Sequence, residues 1–314
     1  YENIILEDIV FNLGQYGAGF IAERTAVGTL PSRNMIFKNI IAYNGGGTVF
    51  LYTYGSSGLY NVKFQNILNV VSVNGITDDR VGISCTNGGN SSAPYCDCFN
   101  IEFDSIYTYI EPGVSALDVN GVKIDMGANY AYAHDIAIRN IYFYSAPSSQ
   151  QQGVAIAIYD ASQGYVYNYV VENVQVYNSS LHLSLMPTDK SGSVIVDNVK
   201  LFNNAAFYFN WFWGGIILRS QNGMGKALIS NSVLVNRYTN VRAPFPVGLL
   251  AYSTASSPNV EIYVNSSVID GWYYAVSNNI QIPNGNTVTP IGPVYIRQSR
   301  ITNNTNVASG TGIV

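Results

Sequence analysis

Two sets of carboxylates in this chain have the types and spacing for chemistry. The first is Asp78-Asp79, just before Arg80, with Asp97, Glu102 and Asp104 following it. Cleavage of a glycosidic bond takes two carboxylates about 5–9.5 Å apart, one as acid and the other as base or nucleophile. Asp78, Asp79 and Asp104 are therefore catalytic candidates; the alternative is that Asp78 and Asp79 cap a turn, with Arg80 as a local counter-ion. The second set, Asp118 and Asp125 with Lys123, is what a calcium-assisted lyase would need, carboxylates for the cation and an amine as base. Yet Asp118 and Lys123 fall in an alternating strand, where polar residues simply face solvent. His134 and His182 are isolated, and no Ser-His-Asp set, phosphate-cradling loop or metal-ligand pair is visible, so no cofactor or metal is expected.

Aromatic residues offer a different chemistry, that of binding. Phe207-Tyr-Phe-Asn-Trp-Phe-Trp213 is followed by Trp272-Tyr-Tyr274. So many rings in one strand cannot all point inward, because alternate side chains face opposite sides. Trp211 or Trp213 aligned with Trp272 would lie about 10 Å from it along a stack of strands. With Tyr273, these rings are the candidates for stacking on sugar units; a satellite hydrophobic cluster or a contact between protomers would use them equally well. Tyr130, Tyr132, Tyr165, Tyr167 and Tyr169 form a further cluster.

The elements that must position these residues repeat. Glu172-Asn-Val-Gln-Val-Tyr-Asn178 alternates apolar and polar residues between two asparagines. Close copies are Asn39-Ile-Ile-Ala-Tyr-Asn44, Asn198-Val-Lys-Leu-Phe-Asn203, Asn231-Ser-Val-Leu-Val-Asn236 and Asn265-Ser-Ser-Val-Ile-Asp270. Weaker copies begin at Asp8, Asn66, Ser105, Asn140 and Gln298. The interval averages about 32 residues, the range of repeat architectures, in which each unit is stable only when stacked on its neighbours. Each period holds an alternating strand, a Gly-rich turn and a second short apolar strand, such as Gly215-Ile-Ile-Leu218 or Val247-Gly-Leu-Leu-Ala251. No helical periodicity is sustained. Two columns of side-chain amides are expected to form ladders, Asn140/Asn173/Asn198/Asn231/Asn265 and Asn178/Asn203/Asn236/Asp270/Asn303.

Composition bounds the rest. Only 11% of residues are charged, the net charge is −4, and the fifteen Lys and Arg are scattered singly among 25 tyrosines and many amides and hydroxyls. With no basic stripe, nucleic acid is not an expected partner. No apolar run reaches the length of a membrane span. The chain opens directly on a repeat strand and reads as one domain over 1–314, a piece of something longer. Cys85, Cys96 and Cys98 lie close together: Cys85 paired with Cys96 or Cys98 would staple a loop and leave one thiol, and three reduced cysteines are the alternative. Acceptor triplets for glycosylation begin at Asn90, Asn178, Asn265 and Asn303.

The repeat, with its Asn-framed apolar alternation, Gly-rich turns and uneven coil lengths, resembles the right-handed parallel β-helix of the pectate-lyase-like superfamily over essentially the whole chain. The resemblance implies an all-β solenoid of about ten coils, on a scaffold that carries lyases, hydrolases, phage tailspikes and adhesins alike. Asp78-Asp79 is similar to the paired aspartates of polygalacturonases, but that family's Gly-His-Gly and Arg-Ile-Lys are missing. The excess of Tyr, Asn, Val, Ile and Gly also resembles tail-fibre proteins of spindle-shaped viruses of Sulfolobus. The expected role is an extracellular or virion-surface spike that binds host-cell surface polysaccharide or glycoprotein without chemistry of its own, in a form compatible with a homo-oligomer. A polysaccharide-cleaving enzyme and a structural filament or coat subunit are the alternatives.

Overall fold

In the computed structural model the described residues are built from stacked parallel strands. The structure describes residues 1–14, 19–24, 31–44, 47–54, 58–74, 80–86, 96–116, 119–127, 131–147, 150–151, 154–160, 164–185, 194–204, 214–220, 224–238, 247–253, 259–277, 293–304 and 306–309. The first sheet starts at Glu2–Asn12, continues through Ser32–Tyr43, Leu59–Val71, Cys96–Ile110, Ala131–Ser145 and Tyr165–Tyr177, and ends at Val294–Arg297. The second holds ten short strands, from Phe20–Arg24 and Val49–Tyr54 to Tyr274–Ser277 and Asn306–Ser309. Each strand pairs in parallel with its counterpart one coil on. Ten turns of a right-handed parallel β-helix result.

The long strands bend twice, and asparagine makes both bends. Asn3, Asn34, Asn61, Asn100, Asp135 and Asn168 form one left-handed column, and Asp8, Asn39, Asn66, Ser105, Asn140, Asn173, Asn198 and Asn231 a second, all at φ of 49–58°. Asn and Asp tolerate this region better than other residues with a Cβ. The amides then join coil to coil: Asn66 Nδ2 donates to Asn39 Oδ1 at 2.9 Å and Asn39 Nδ2 to Asp8 Oδ1 at 2.8 Å. Further along, Asn198 donates to Asn173 at 2.9 Å, and Asn140 to Asp104 at 2.7 Å. The other column does the same, Asn100 to Asn61 at 2.7 Å and Asn61 to Asn34 at 3.0 Å.

The first expected ladder needs correction at its C-terminal end and the second at Asn178 and between Asn236 and Asp270, whereas Asn303 does donate to Asp270 at 2.7 Å. Asn265 pairs with Ser230, so the residue beside Asn231 is Ser266, itself at φ 48°. Asn231 donates to Asp197 rather than Asn198. In the other expected column Asp270 lies beside Val235, one place early. Asn203 does reach Asn236 at 2.8 Å, but Asn178 donates to the Ser145 carbonyl at 2.6 Å. Asn178 is thereby buried, 5% exposed, which removes it as a glycosylation site.

The bore is dry. Phe37, Phe64 and Phe103 stack coil upon coil with centroids 5.4 and 4.7 Å apart, and Phe20 of the second sheet meets Phe37 at a tilt, 5.3 Å away. Cys85 and Cys96 form a disulfide, and the buried Cys98 is free, its thiol pushed up to about 12 by desolvation. Among the described residues no helix is long and apolar enough to cross a membrane.

Candidate functional site

Outside the bore, each long strand presents three facets separated by its two left-handed bends, and their chemistry differs. The middle facet is charged and self-paired: Lys38 with Glu7 at 2.6 Å, Lys63 with Glu102 at 2.9 Å and Arg139 with Glu172 at 2.5 Å. The first facet carries a column of rings, Tyr60, Phe99, His134 and Tyr167, stacked at 5.1, 5.4 and 4.8 Å. His134 is held there by Asp135 at 2.7 Å and Asp97 at 3.3 Å.

The third facet is uncharged over three coils, from the Tyr107 coil to the Tyr177 coil. Tyr109, Tyr144, Tyr177 and Phe202 occupy the same register position on successive coils. Tyr109 stacks on Tyr144 at 5.1 Å, Tyr144 meets Tyr177 at 5.9 Å, and Tyr177 stacks on Phe202 at 5.6 Å. Beside them Tyr107 and Tyr142 make a second pair at 6.5 Å. The alternation of the strand turns these rings outward while Ile106, Thr108 and Ile110 go in, leaving Tyr107 39% and Tyr109 37% exposed. Burial and the neighbouring phenols raise the Tyr142 hydroxyl above its ordinary value, so it stays a neutral donor and acceptor at physiological pH. Such a surface has apolar ring edges and a row of hydroxyls one coil apart, about 4.8 Å, the mixture a neutral polyol would meet.

The aromatic residues singled out in the sequence fare differently. Trp272 is 1% exposed, packs in the bore and donates from Nε1 to the Leu234 carbonyl at 3.1 Å. It cannot stack on a ligand from outside, which corrects that assignment. Tyr273 is partly exposed and meets Tyr274 edge-on at 4.8 Å. Trp211 and Trp213 lie outside the described residues. Tyr132 and Tyr165 do come together, at 5.6 Å, whereas Tyr169 points inward to donate to the Ser184 carbonyl at 2.6 Å.

Among the described residues the carboxylates do not assemble. Asp104 accepts hydrogen bonds from Asn140 at 2.7 Å and Ser105 at 3.1 Å, closing an amide ladder. Asp97 is engaged by His134 and Glu102 by Lys63. Lys123 pairs with Asp125 at 3.7 Å and lies over the Tyr159 ring. Asp78, Asp79 and Asp118, like Asn90, fall outside the described residues; Arg80 is buried and donates from Nη1 to the Asn44 carbonyl. Among the described residues no group of three or more His, Cys, Asp or Glu side chains could hold a metal ion. Of the remaining glycosylation candidates, Asn265 is half-buried, while Asn303 is exposed and donates to Asp270 at 2.7 Å.

A buried polar cluster that the sequence did not announce lies on the second sheet. Asp160 is 5% exposed, and desolvation pushes its carboxyl up to about 7, with Ser184 and Arg219 pulling the other way. His182, 4% exposed, is driven down to about 3 by burial and by Arg219. At neutral pH the imidazole is therefore uncharged. Both groups are shut from solvent, and this cluster holds a single carboxyl where glycoside hydrolysis uses two.

No family model matches the chain, and no curated protein matches it in sequence. Among solved structures it is similar to the catalytic domain of GH87 alpha-1,3-glucanase in complex with nigerose, with a TM-score of 0.59 and 13% identity over 97% of this chain and 57% of that one. A variant of that catalytic domain in complex with tetrasaccharides gives 0.54 and 14% over 100% and 56%. A second variant, with nigerose, gives 0.51 and 13% over 100% and 62%. The chain thus spans less than two thirds of the length of these structures, and at such identities the likeness is one of architecture. It has the parallel β-helix of the pectate-lyase-like fold.

Proposed function

We propose that this protein is a non-catalytic glycan-binding spike whose third facet, around Tyr107, Tyr109, Tyr142, Tyr144 and Tyr177, receives a neutral saccharide chain. The observation that carries the reading is this uncharged, outward-facing column of tyrosines, continuous over successive coils. Phenol hydroxyls exchange hydrogen bonds with sugar hydroxyls, and ring edges cover C–H surface. Each described acidic candidate is tied to a partner from another residue, which favours binding over cleavage. The low charge and the amide-rich surface suit a cell-surface or virion setting, where the ligand would be a host polysaccharide or glycoprotein. The neighbouring architectures act on or bind saccharides in their own right, which agrees with this reading without carrying it.

Affinity electrophoresis against a panel of neutral and acidic polysaccharides tests it. The expected result is retardation by at least one neutral polymer, lost when Tyr107, Tyr109, Tyr142 and Tyr144 are changed together to Ala, with no shortening of the polymer on long incubation. Unchanged retardation of that variant refutes the facet; shortened chains refute the non-catalytic reading.

A further inference from the structure

The tyrosine column has a gap. Its register position runs Tyr43, Val70, Tyr109, Tyr144, so one rung between two rings holds an isopropyl group instead of a ring. Tyr109 stacks on Tyr144 at 5.1 Å with only 10° between the planes. One of its faces is covered, and the other looks towards the Val70 coil. Tyr43, on the far side, is 40% exposed. Inside an uninterrupted stack only edges and hydroxyls meet solvent; ring faces become available only where the stack breaks.

The gap has the dimensions of one ring. Tyr43 and Tyr109 are two coils apart, about 9.6 Å, and a ring seated between two faces needs about 3.5–4 Å on each side. Its floor is apolar, formed by Val70 and, one position across, by Leu68, which lies between Ile41 and Tyr107. Both flanks are polar. On one side run the exposed amides of Asn39 and Asn66, 2.9 Å apart. On the other, Asn44 Oδ1 accepts from the Ser72 N–H and hydroxyl at 2.8 Å each. The free face of Tyr109 on one side, the exposed Tyr43 side chain on the other and hydrogen-bonding groups at the rim make the pattern of a site for a flat, polar-edged ring.

We infer that the Val70 gap is a saccharide subsite that takes one gluco-configured pyranose edge-on between Tyr43 and Tyr109. A pyranose with all ring substituents equatorial shows C–H bonds on both faces and hydroxyls around its rim, matching two ring faces and two polar flanks. A manno- or galacto-configured ring carries an axial hydroxyl. Placed here, that hydroxyl would be pressed against a phenol face with no partner and would weaken binding about tenfold or more. This assignment rests on the glycan-binding reading of the same facet and sharpens it to one rung and one sugar configuration.

Calorimetric titration of the intact protein with cellotetraose and with β-1,4-mannotetraose is the test, on the unaltered protein and on Val70→Tyr, Tyr43→Ala and the Tyr142→Ala/Tyr144→Ala pair. Val70→Tyr fills the rung and continues the stack. Tyr43→Ala removes one wall at an exposed position and guards against misfolding of the first variant. Expected are cellotetraose binding at least tenfold tighter than mannotetraose and at least a tenfold loss in both Val70→Tyr and Tyr43→Ala. Equal binding of the two sugars, or unchanged cellotetraose affinity in folded Val70→Tyr or in Tyr43→Ala, overturns the subsite. If the Tyr142/Tyr144 pair alone lowers affinity, the facet stands and the gap does not; if neither tetraose binds, the gap falls and the polysaccharide panel decides the facet.

Discussion

Asp160 and His182 set opposing pH dependences into the same part of the second sheet, and separating them is a demanding check on the packing described here. The folded Asp160 carboxyl, at about 7, is raised above the ordinary aspartate value, so the folded chain holds its proton more tightly than the unfolded one. Its cost is absent below about pH 4, grows as pH rises, and is complete above the folded value. Three units of displacement at about 1.4 kcal/mol each give on the order of 4 kcal/mol. His182 is displaced downwards, to about 3, so its cost is absent above about pH 6.5 and grows as pH falls, towards about 5 kcal/mol. Between pH 4 and 6.5 the two slopes, each about 1.4 kcal/mol per pH unit, have opposite sign and cancel. In the unaltered protein these two groups together leave stability nearly flat across that window. Asp160→Asn exposes the histidine slope, so that variant gains stability as pH rises; His182→Leu exposes the aspartate slope and loses it. Urea unfolding followed by far-ultraviolet circular dichroism at pH 4, 5, 6, 7 and 8 reads both. A constant offset between Asp160→Asn and the unaltered protein over the whole range would refute the burial of an acid with a raised proton affinity.

Three further outcomes follow from the stack. Phe64 is fully buried between Phe37 and Phe103, so Phe64→Ala costs about 3–5 kcal/mol by the same urea assay; a loss below about 1 kcal/mol would contradict the continuous ring column. Asn173 sits at φ 56° and both donates and accepts in its ladder, so Asn173→Ala is more damaging than Asn173→Gly, the difference being the left-handed strain of about 1–2 kcal/mol. Cys98, buried and with its thiol at about 12, resists alkylation at pH 8 in the folded protein and reacts as a single thiol once urea is added.

How much of this was legible beforehand depends on whether the signal recurs from coil to coil. The asparagines did recur, and the positions Asp8, Asn39, Asn66, Ser105, Asn140, Asn173, Asn198, Asn231 and Gln298, which open the repeats in the sequence, are the left-handed bends. The second strands at 215–218 and 247–251 pair as read. Register failed where two acceptable residues adjoin: Asn265 and Ser266 can both occupy a bend, and the chain uses Ser266. The column Asn3 to Asn168 escaped notice because those asparagines lack the apolar phrase that marks the other bend. The site was missed for a related reason. Local density of rings pointed to 207–213 and to Trp272, but Trp272 serves the bore. Tyr43, Tyr109, Tyr144, Tyr177 and Phe202 are scattered along the chain, each four residues after a bend, and only stacking brings them together. Aligning the coils on their bends exposes that column and its gap, since Val70 is four residues after Asn66. Asp160 and His182 gave no sign, because burial of a polar residue on an alternating strand has no sequence signature of its own.

The most direct test of a glycan-binding tyrosine facet is a crystal structure of the protein soaked with the polysaccharide fragment that it retards. Saccharide density lying along Tyr107, Tyr109, Tyr142 and Tyr144, with the chain unbroken, is the predicted result. Density elsewhere on the solenoid, or a cleaved fragment seated between two carboxylates, would contradict it.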